Sequence, residues 1–351
     1  MKFFQADRIK NDGYPVETHT VITSDKYILT LHRIPPKNSN SPVIFLMHGL
    51  SSSSSDFVIL GPKRALAYKL SDAGYDVWMG NARGNTFSRK HEILSPYTLA
   101  FWRFSWNEIG IYDLPAMIDY ILEKTQNQQI HYIGHSQGTT TLLVLLSEKP
   151  EYNKKLQSAH LLAPAAFMGH MKSISIISTC PSLSVPNPAA ATGSIPIMTT
   201  DFEKDIASFS CDVIPGLKEF CKLSIFEISG FDHKNLNESL LADIYATSPA
   251  GASASQLYIT VKNSFLENLE NLIMVPPSYS LNNTLVPTFL YYGQNDFISA
   301  PEDVLRLRNE LSNVKLFYKV SDPMWTHLDF IWATNADSMV YEKVLKGIES
   351  V

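Results

Sequence analysis

Gly134-His135-Ser136-Gln137-Gly138 is the stretch on which the reading of this chain turns. Before it, Gln129-Ile130-His131-Tyr132-Ile133 reads as a strand. After it, Thr139 to Lys149 reads as a helix, with Leu142, Leu143, Leu145 and Leu146 as its apolar residues. A serine on a sharp strand-to-helix turn, flanked by glycines, forms a nucleophile elbow. The glycines are required because the turn is tight and its neighbours pack close, leaving no room for Cβ atoms. The hydroxyl then stands exposed above the sheet edge, placed to form a covalent acyl-serine. A turn with no chemical role would not need an apolar strand before it and a glycine-free helix after it.

Outward from the elbow, strands alternate with helices. Glu17 to Thr23 and Tyr27 to Arg33 alternate apolar and polar residues around Ser24-Asp25-Lys26, which predicts a β-hairpin. Val43 to Met47 and Tyr75 to Met79 read as strands, and Pro62 to Asp72 as a helix. Ile111, Leu114, Ile118, Ile121 and Leu122 fall on one helical face. His160 opens a further strand, and the alternation resumes with strands at Thr288 to Tyr292 and Leu316 to Val320. Glu302 to Leu311 and Ala336 to Ile348 read as the late helices. This rhythm predicts an α/β fold with a mostly parallel central sheet and helices on both faces. Between about residues 165 and 287 the rhythm breaks, with Pro181, Pro186, Pro188, Pro196, Pro215, Pro249, Pro276 and Pro277 among serines and alanines. An insertion at that point lies above the carboxyl edge of the sheet, where ligands bind in such folds. The expected division is a core of residues 1–164 and 287–351, with a mainly helical cap or lid over 165–286.

A serine hydroxyl needs a histidine to take its proton, and that histidine needs a carboxylate to fix its tautomer. The chain order of such a fold is serine, acid, histidine. Four histidines follow Ser136: His160, His170, His233 and His327. Only His327 also follows a late strand, in Trp325-Thr326-His327-Leu328-Asp329-Phe330, so it is the expected base. Asp296 comes just past the preceding strand, in Gly293-Gln294-Asn295-Asp296, and is the expected acid. Asp303 is explained by a helix dipole, Asp322 by a turn, and Asp329 stands too near His327 along the chain. The oxyanion needs preorganised backbone donors. Gln137, directly after the nucleophile, offers one N–H, and Leu50 in His48-Gly49-Leu50 the other. The Ser51 to Ser55 run beyond it reads as a solvent loop.

Composition sets the outer limits. The chain has 351 residues, 45% hydrophobic and 18% charged, which is ordinary for a globular protein. With a net charge of -5 and no basic run, it has no nucleic-acid footprint. No apolar stretch reaches the roughly 18 residues of a membrane span. The amino terminus, Met1 to Asp7, turns polar too soon for a complete signal peptide: either a leader was removed or the protein stays inside the cell. Cys180, Cys211 and Cys221 leave at least one thiol unpaired; Cys211 and Cys221 are close enough to bridge a short loop, which proves nothing by itself. The sequons Asn237-Glu238-Ser239 and Asn282-Asn283-Thr284 lean slightly towards a secreted glycoprotein.

Ordered blocks across nearly the whole chain also match one family. They include Gly13-Tyr14-Pro15-Val16-Glu17, Leu46-Met47-His48-Gly49-Leu50, Gly80-Asn81-Ala82-Arg83-Gly84-Asn85-Thr86, Phe104-Ser105-Trp106, Gly230-Phe231-Asp232, Pro249-Ala250-Gly251-Ala252-Ser253 and His327-Leu328-Asp329-Phe330. In these the sequence resembles the acid lipase family of α/β-hydrolases, which contains gastric and lysosomal acid lipases with many insect relatives. The resemblance implies hydrolysis of triacylglycerols or cholesteryl esters, with no cofactor, no metal and no obligatory protein partner. It implies a lipid ester substrate met at a lipid–water interface, and a secreted or lysosomal location. It places the nucleophile on Ser136, the acid on Asp296, the base on His327 and the oxyanion donors on Leu50 and Gln137. It matches the family's lid disulfide to Cys211 and Cys221. Three departures stand out: Ser229 stands where the family often has a cysteine; Leu257-Tyr258-Ile259-Thr260 replaces a His-aromatic-x-Gln segment, with a short stretch after it; and no complete leader is visible, although the family normally enters the secretory route. A short-chain carboxylesterase, and a non-catalytic lipid-binding protein on the same scaffold, are the competing expectations.

Overall fold

The structure, a computed structural model, describes residues 5–38, 40–177, 196–197, 210–211, 216–257 and 279–351. Cys180, most of the prolines named above and the short stretch after Leu257 lie outside these residues.

Eleven strands are described: β1 (Glu17–Ile22), β2 (Tyr27–Ile34), β3 (Val43–Met47), β4 (Asp76–Gly80), β5 (Lys90–His91), β6 (Ile130–His135), β7 (Leu156–Leu162), β8 (Pro196–Ile197), β9 (Ala252–Ser253), β10 (Thr288–Tyr292) and β11 (Val314–Lys319). Nine of them form one sheet in the order β1-β2-β4-β3-β6-β7-β10-β11, with β5 beside β2. The hairpin β1–β2 is antiparallel, as is β2 with β4; from β4 to β11 every neighbour is parallel. The remaining two, β8 and β9, make a separate antiparallel pair.

The helices among the described residues include α1 (Gln5–Asn11), α2 (Leu66–Asp72), α3 (Leu114–Thr125), α4 (Gln137–Glu148), α5 (Leu217–Ser229), α6 (Leu241–Thr247), α7 (Pro301–Glu310), α8 (Asp329–Trp332) and α9 (Glu342–Glu349). The period of two along a strand shows how they cover the sheet. Ile44 and Leu46 of β3 join one core with α2 and α9, while Val43, Phe45 and Met47 join the other with α3 and α4. Phe289 and Tyr291 of β10 face the first core and Leu290 the second. Both faces are therefore buried, which is why the parallel strands read as nearly unbroken apolar runs.

Several boundaries differ from the sequence reading, among them the late helix read from Ala336, which is a π-helical turn, Asp337–Tyr341, followed by Glu342–Glu349. α2 starts at Leu66 rather than Pro62, because Lys63 takes a left-handed φ of 67° that a helix cannot include. β7 starts at Leu156, so His160 sits inside that strand rather than opening it. The helix expected from Ile111 opens with a π-helical turn, Ile109–Asp113, before α3. Gly110 lies in that turn against α4: a Cβ there would sit 2.7 Å from Val144 Cγ1.

Polar groups pin the sheet at two places. Arg33 of β2 grips Asp76 of β4 with two bonds of 2.8 Å. In the middle of the sheet, His131 Nδ1, Ser158 Oγ, His160 and Tyr291 Oη form a buried row, with links of 2.8, 2.9 and 3.1 Å across β6, β7 and β10. Burial pushes His131 down to about 4 and His160 to about 3, so both stay neutral.

Candidate active site

The elbow is built as its glycines require. Ser136 has φ 52° and ψ −120°, a strained conformation for a residue with a side chain. A Cβ on Gly138 would lie 2.3 Å from Met47 O, and one on Gly134 would lie 2.8 Å from the Gly138 carbonyl. The Ser136 N–H donates to Leu162 O at 3.0 Å, tying the turn to β7. From Gln137 to Ser147 every residue of α4 is buried, so the helix behind the serine is a fixed wedge.

Three sequence-predicted residues come together here. His327 Nε2 lies 2.7 Å from Ser136 Oγ. His327 Nδ1 lies 2.9 Å from Asp296 Oδ2 and 3.0 Å from Oδ1. A carboxylate only accepts, so Nδ1 carries the hydrogen and Nε2 accepts from the serine hydroxyl. Asp296 Oδ1 also accepts the N–H groups of Ile298 and Ser299, at 2.9 and 2.7 Å, which hold the carboxylate in place. His135 Nε2 donates to His327 O at 3.0 Å. All three side chains are buried, with Ser136 the most accessible at 8%.

The rival groups are accounted for elsewhere. Asp303 accepts the backbone N–H and Nδ1–H of His170. Asp322 accepts the Met324 N–H in a turn. Asp329 accepts the Thr326 N–H at 2.6 Å rather than approaching the imidazole.

Gln137 is the first residue of α4, so its N–H has no carbonyl one turn back to bond. Leu50 N–H makes no hydrogen bond among the described residues. Both residues line the cavity that Ser136 opens into. A Cβ on Gly49 would lie 3.0 Å from Ser136 Cβ, so only glycine lets the loop come this close.

His48, in that same loop, was missed as a functional position. Its Nδ1–H donates to Gly49 O at 2.8 Å, and its Nε2 accepts the Ala82 N–H at 3.1 Å. Burial lowers it to about 4, which keeps Nε2 an acceptor. The signal was present: the blocks containing His48 and Ala82 were both recognisable, but nothing in sequence said that they touch. Arg83 fixes the second block by pairing with Asp113 and Asp25. The serine run is a correction. Ser52 to Ser55 are buried, not a solvent loop. Ser54 N–H bonds Asn81, Ser55 Oγ bonds Gln5, and Ser52 Oγ bonds Asp56. The buried run thus finds its hydrogen-bond partners in Asp56, Asn81 and Gln5.

The cavity above Ser136 has a volume of about 670 Å³. Its walls are largely apolar: Met168, Ile176, Leu217, Phe220, Ile225 and Ile228 come from residues between β7 and β10. A disulfide joins Cys211 to Cys221 of α5, and Cys221 also lines this wall. Among the described residues no cluster of histidine, cysteine and carboxylate side chains could hold a metal ion.

The chain matches the family model described as alpha/beta hydrolase fold over residues 42–334, and the partial alpha/beta-hydrolase lipase region over residues 5–61. It is 50% identical to Lipase 3 of Drosophila melanogaster, over 98% of this chain and 92% of that protein. It is 37% identical to the human lysosomal acid lipase/cholesteryl ester hydrolase, over 95% of this chain and 87% of that one. The chain belongs to the acid lipase family. A putative lipase of Sulfolobus solfataricus shares the fold with a TM-score of 0.61 at 14% identity, covering 95% of this chain and 99% of that one. This acid lipase relative is thus a carboxylic ester hydrolase of the lipase type. No helix among the described residues of the acid lipase chain is long and apolar enough to cross a membrane.

Proposed function

We propose that Ser136, His327 and Asp296 form the catalytic triad and that the substrates are esters of neutral lipids, triacylglycerols or cholesteryl esters. The observation that carries this is the unbroken hydrogen-bonded row from Asp296 through His327 to Ser136, ending at an apolar cavity. Ser136 Oγ attacks the ester carbonyl while His327 Nε2 takes its proton. Asp296 holds the tautomer and stabilises the imidazolium. The N–H groups of Leu50 and Gln137 receive the oxyanion. As the tetrahedral intermediate collapses, His327 returns the proton to the leaving alcohol and an acyl-serine remains. Water then attacks the acyl carbon, His327 accepts its proton, and the fatty acid leaves.

Residues 165–286 act as the cap. They supply most of the apolar wall, and a cavity of this size suits an acyl chain. The substrate is met at a lipid–water surface, and the disulfide fits a secreted or lysosomal location. The relative named for acid lipase and cholesteryl ester hydrolase supports the same reading.

A fluorophosphonate probe tests it. The wild-type protein labels on Ser136, and Ser136→Ala abolishes both labelling and ester hydrolysis. His327→Ala lowers kcat by roughly 10⁴-fold or more. An unlabelled wild-type protein that still binds lipid would instead be a binding module. Hydrolysis of short-chain esters alone would make it a short-chain esterase.

A further inference from the structure

The last residue of α5 touches both loops of the site. Ser229 O accepts the N–H of Phe297, beside Asp296, and the N–H of His327, each at 3.2 Å. Gly230 follows with φ 116°; a Cβ there would lie 2.1 Å from Asn295 O. Asn295 donates its N–H to Trp325 O at 3.1 Å and its amide to Phe231 O at 2.9 Å. The segment Ser229–Asn235 therefore wedges between the acid loop and the base loop.

At its end two carboxyl groups meet. Asp232 and Asp329 are in hydrogen-bond contact, and their exposures are 1% and 5%. Two carboxylates cannot share a buried contact without a proton between them. Donor counts place that proton. Asp232 already accepts the N–H groups of Lys234 and Asn235 and the Asn235 amide. Asp329 accepts from Thr326, the residue before His327. Asp329 is thus the protonated partner, and its O–H donates to Asp232.

We propose that Asp329 is a positioning residue for His327: its protonated carboxyl latches the Ser229–Asn235 segment to the base loop, and the latch opens when the proton leaves. The reading rests on His327 being the base. Burial first, and then the Asp232 charge, raise Asp329 to about 7. The groups facing the pair are Thr326 on the base loop, Asp322 through the Asn235 amide, and the neighbouring Lys234, whose contact is its backbone N–H. Asp296 and His327 face each other rather than the pair. Among the described residues no lysine or arginine side chain bonds either carboxyl. Raising the pH through the Asp329 range puts two adjacent negative charges between segment and loop, and the His327 N–H loses its fixed partner at Ser229 O.

Asp329→Asn tests the latch, because the amide donates to Asp232 and accepts from Thr326 without titrating. Turnover of p-nitrophenyl butyrate is measured from about pH 5 to about pH 9, alongside melting temperature. Wild-type kcat should fall through about pH 7 with KM little changed, and melting temperature should lose the Asp329 contribution as pH rises towards about 7 and level off above it. In Asp329→Asn both declines should vanish or move up by at least about one pH unit. Asp232→Asn, which donates in the opposite sense, should do the same, so that a folding failure of one variant leaves the other as judge. Profiles of both variants that overlay the wild type overturn the proposal. The fluorophosphonate experiment separately decides the triad: if Ser136 does not label, the melting curves still decide whether the latch exists.

Discussion

At the scale of single residues, close approach matters as much as chemistry. Gly49 leaves little room for a side chain against Ser136 and His135: a Cβ would meet Ser136 Cβ at 3.0 Å and His135 Nδ1 at 3.3 Å. These contacts are tight without being impossible, so Gly49→Ala should fold but push Leu50 away from the oxyanion. We expect kcat to fall by about 10- to 100-fold, with little change in melting temperature. An unchanged kcat would remove Leu50 from the oxyanion hole. Ser136, Asp296 and His327 were legible because chain order and strand ends narrow the choice to one residue each. His48 and Asp329 were not, because their partners, Ala82 and Asp232, are 34 and 97 residues away along the chain. A buried hydrogen bond leaves no periodicity in sequence.

Among elements, the sheet strands were the readable part. The expected bounds of β10 match those observed, because Thr288 to Tyr292 is one short apolar run between a proline and a glycine. Helix starts were harder, since a left-handed lysine or a π-turn alters the backbone without altering the apolar pattern. The link from β4 to α3 shows what such patterns omit. Arg83 follows β4 and Asp113 precedes α3, and they pair at 2.7 Å with side chains 1% and 0% exposed. Arg83 also stacks over Tyr27 at 4.0 Å. Arg83→Ala would strand the Asp113 carboxylate in the interior. It should cost about 3 to 5 kcal/mol in chemical denaturation, as expected when one member of a buried pair is lost. A loss below about 1 kcal/mol would show that water reaches Asp113.

For the whole molecule, the strand order of the sheet and the meeting of α5 with both site loops were beyond sequence reading. Titration of the interior is a further property of the whole. Burial lowers His32, His48 and His131 to about 4, and His135 and His160 to about 3. Each remains neutral in the fold below the roughly 6.5 at which an unfolded histidine gains a proton. The unfolded chain therefore binds more protons in that window, and these five groups cost stability as pH falls from about 6.5 towards about 4. Asp56 and Asp329 act in the opposite sense. Burial raises them to about 6 and about 7, so the stability they add below about pH 4 is lost as pH rises from there to those values, with no further change above them. Five groups outweigh two on the acid side. Melting temperature should thus rise as pH climbs from about 4 to about 6.5 and level off above about 7. A peak near about pH 4 would contradict the burial of these imidazoles.

The row from Tyr291 to His131 has a consequence of its own. Ser158 owns a single hydrogen and stands between two ring nitrogens, so it can give to one neighbour only and must receive from the other. Each neutral imidazole obeys the same one-in, one-out rule, and the four groups therefore all point the same way. Tyr291 gives its one hydrogen to the Lys343 carbonyl, at 3.5 Å, and so accepts from His160 Nδ1, at 3.1 Å, which sets the arrow running from β6 through β7 to β10. Parallel strands carry no such sense across their width in their backbone ladder. Here the interior acquires one, and its tail rests on the strand that leads into Ser136.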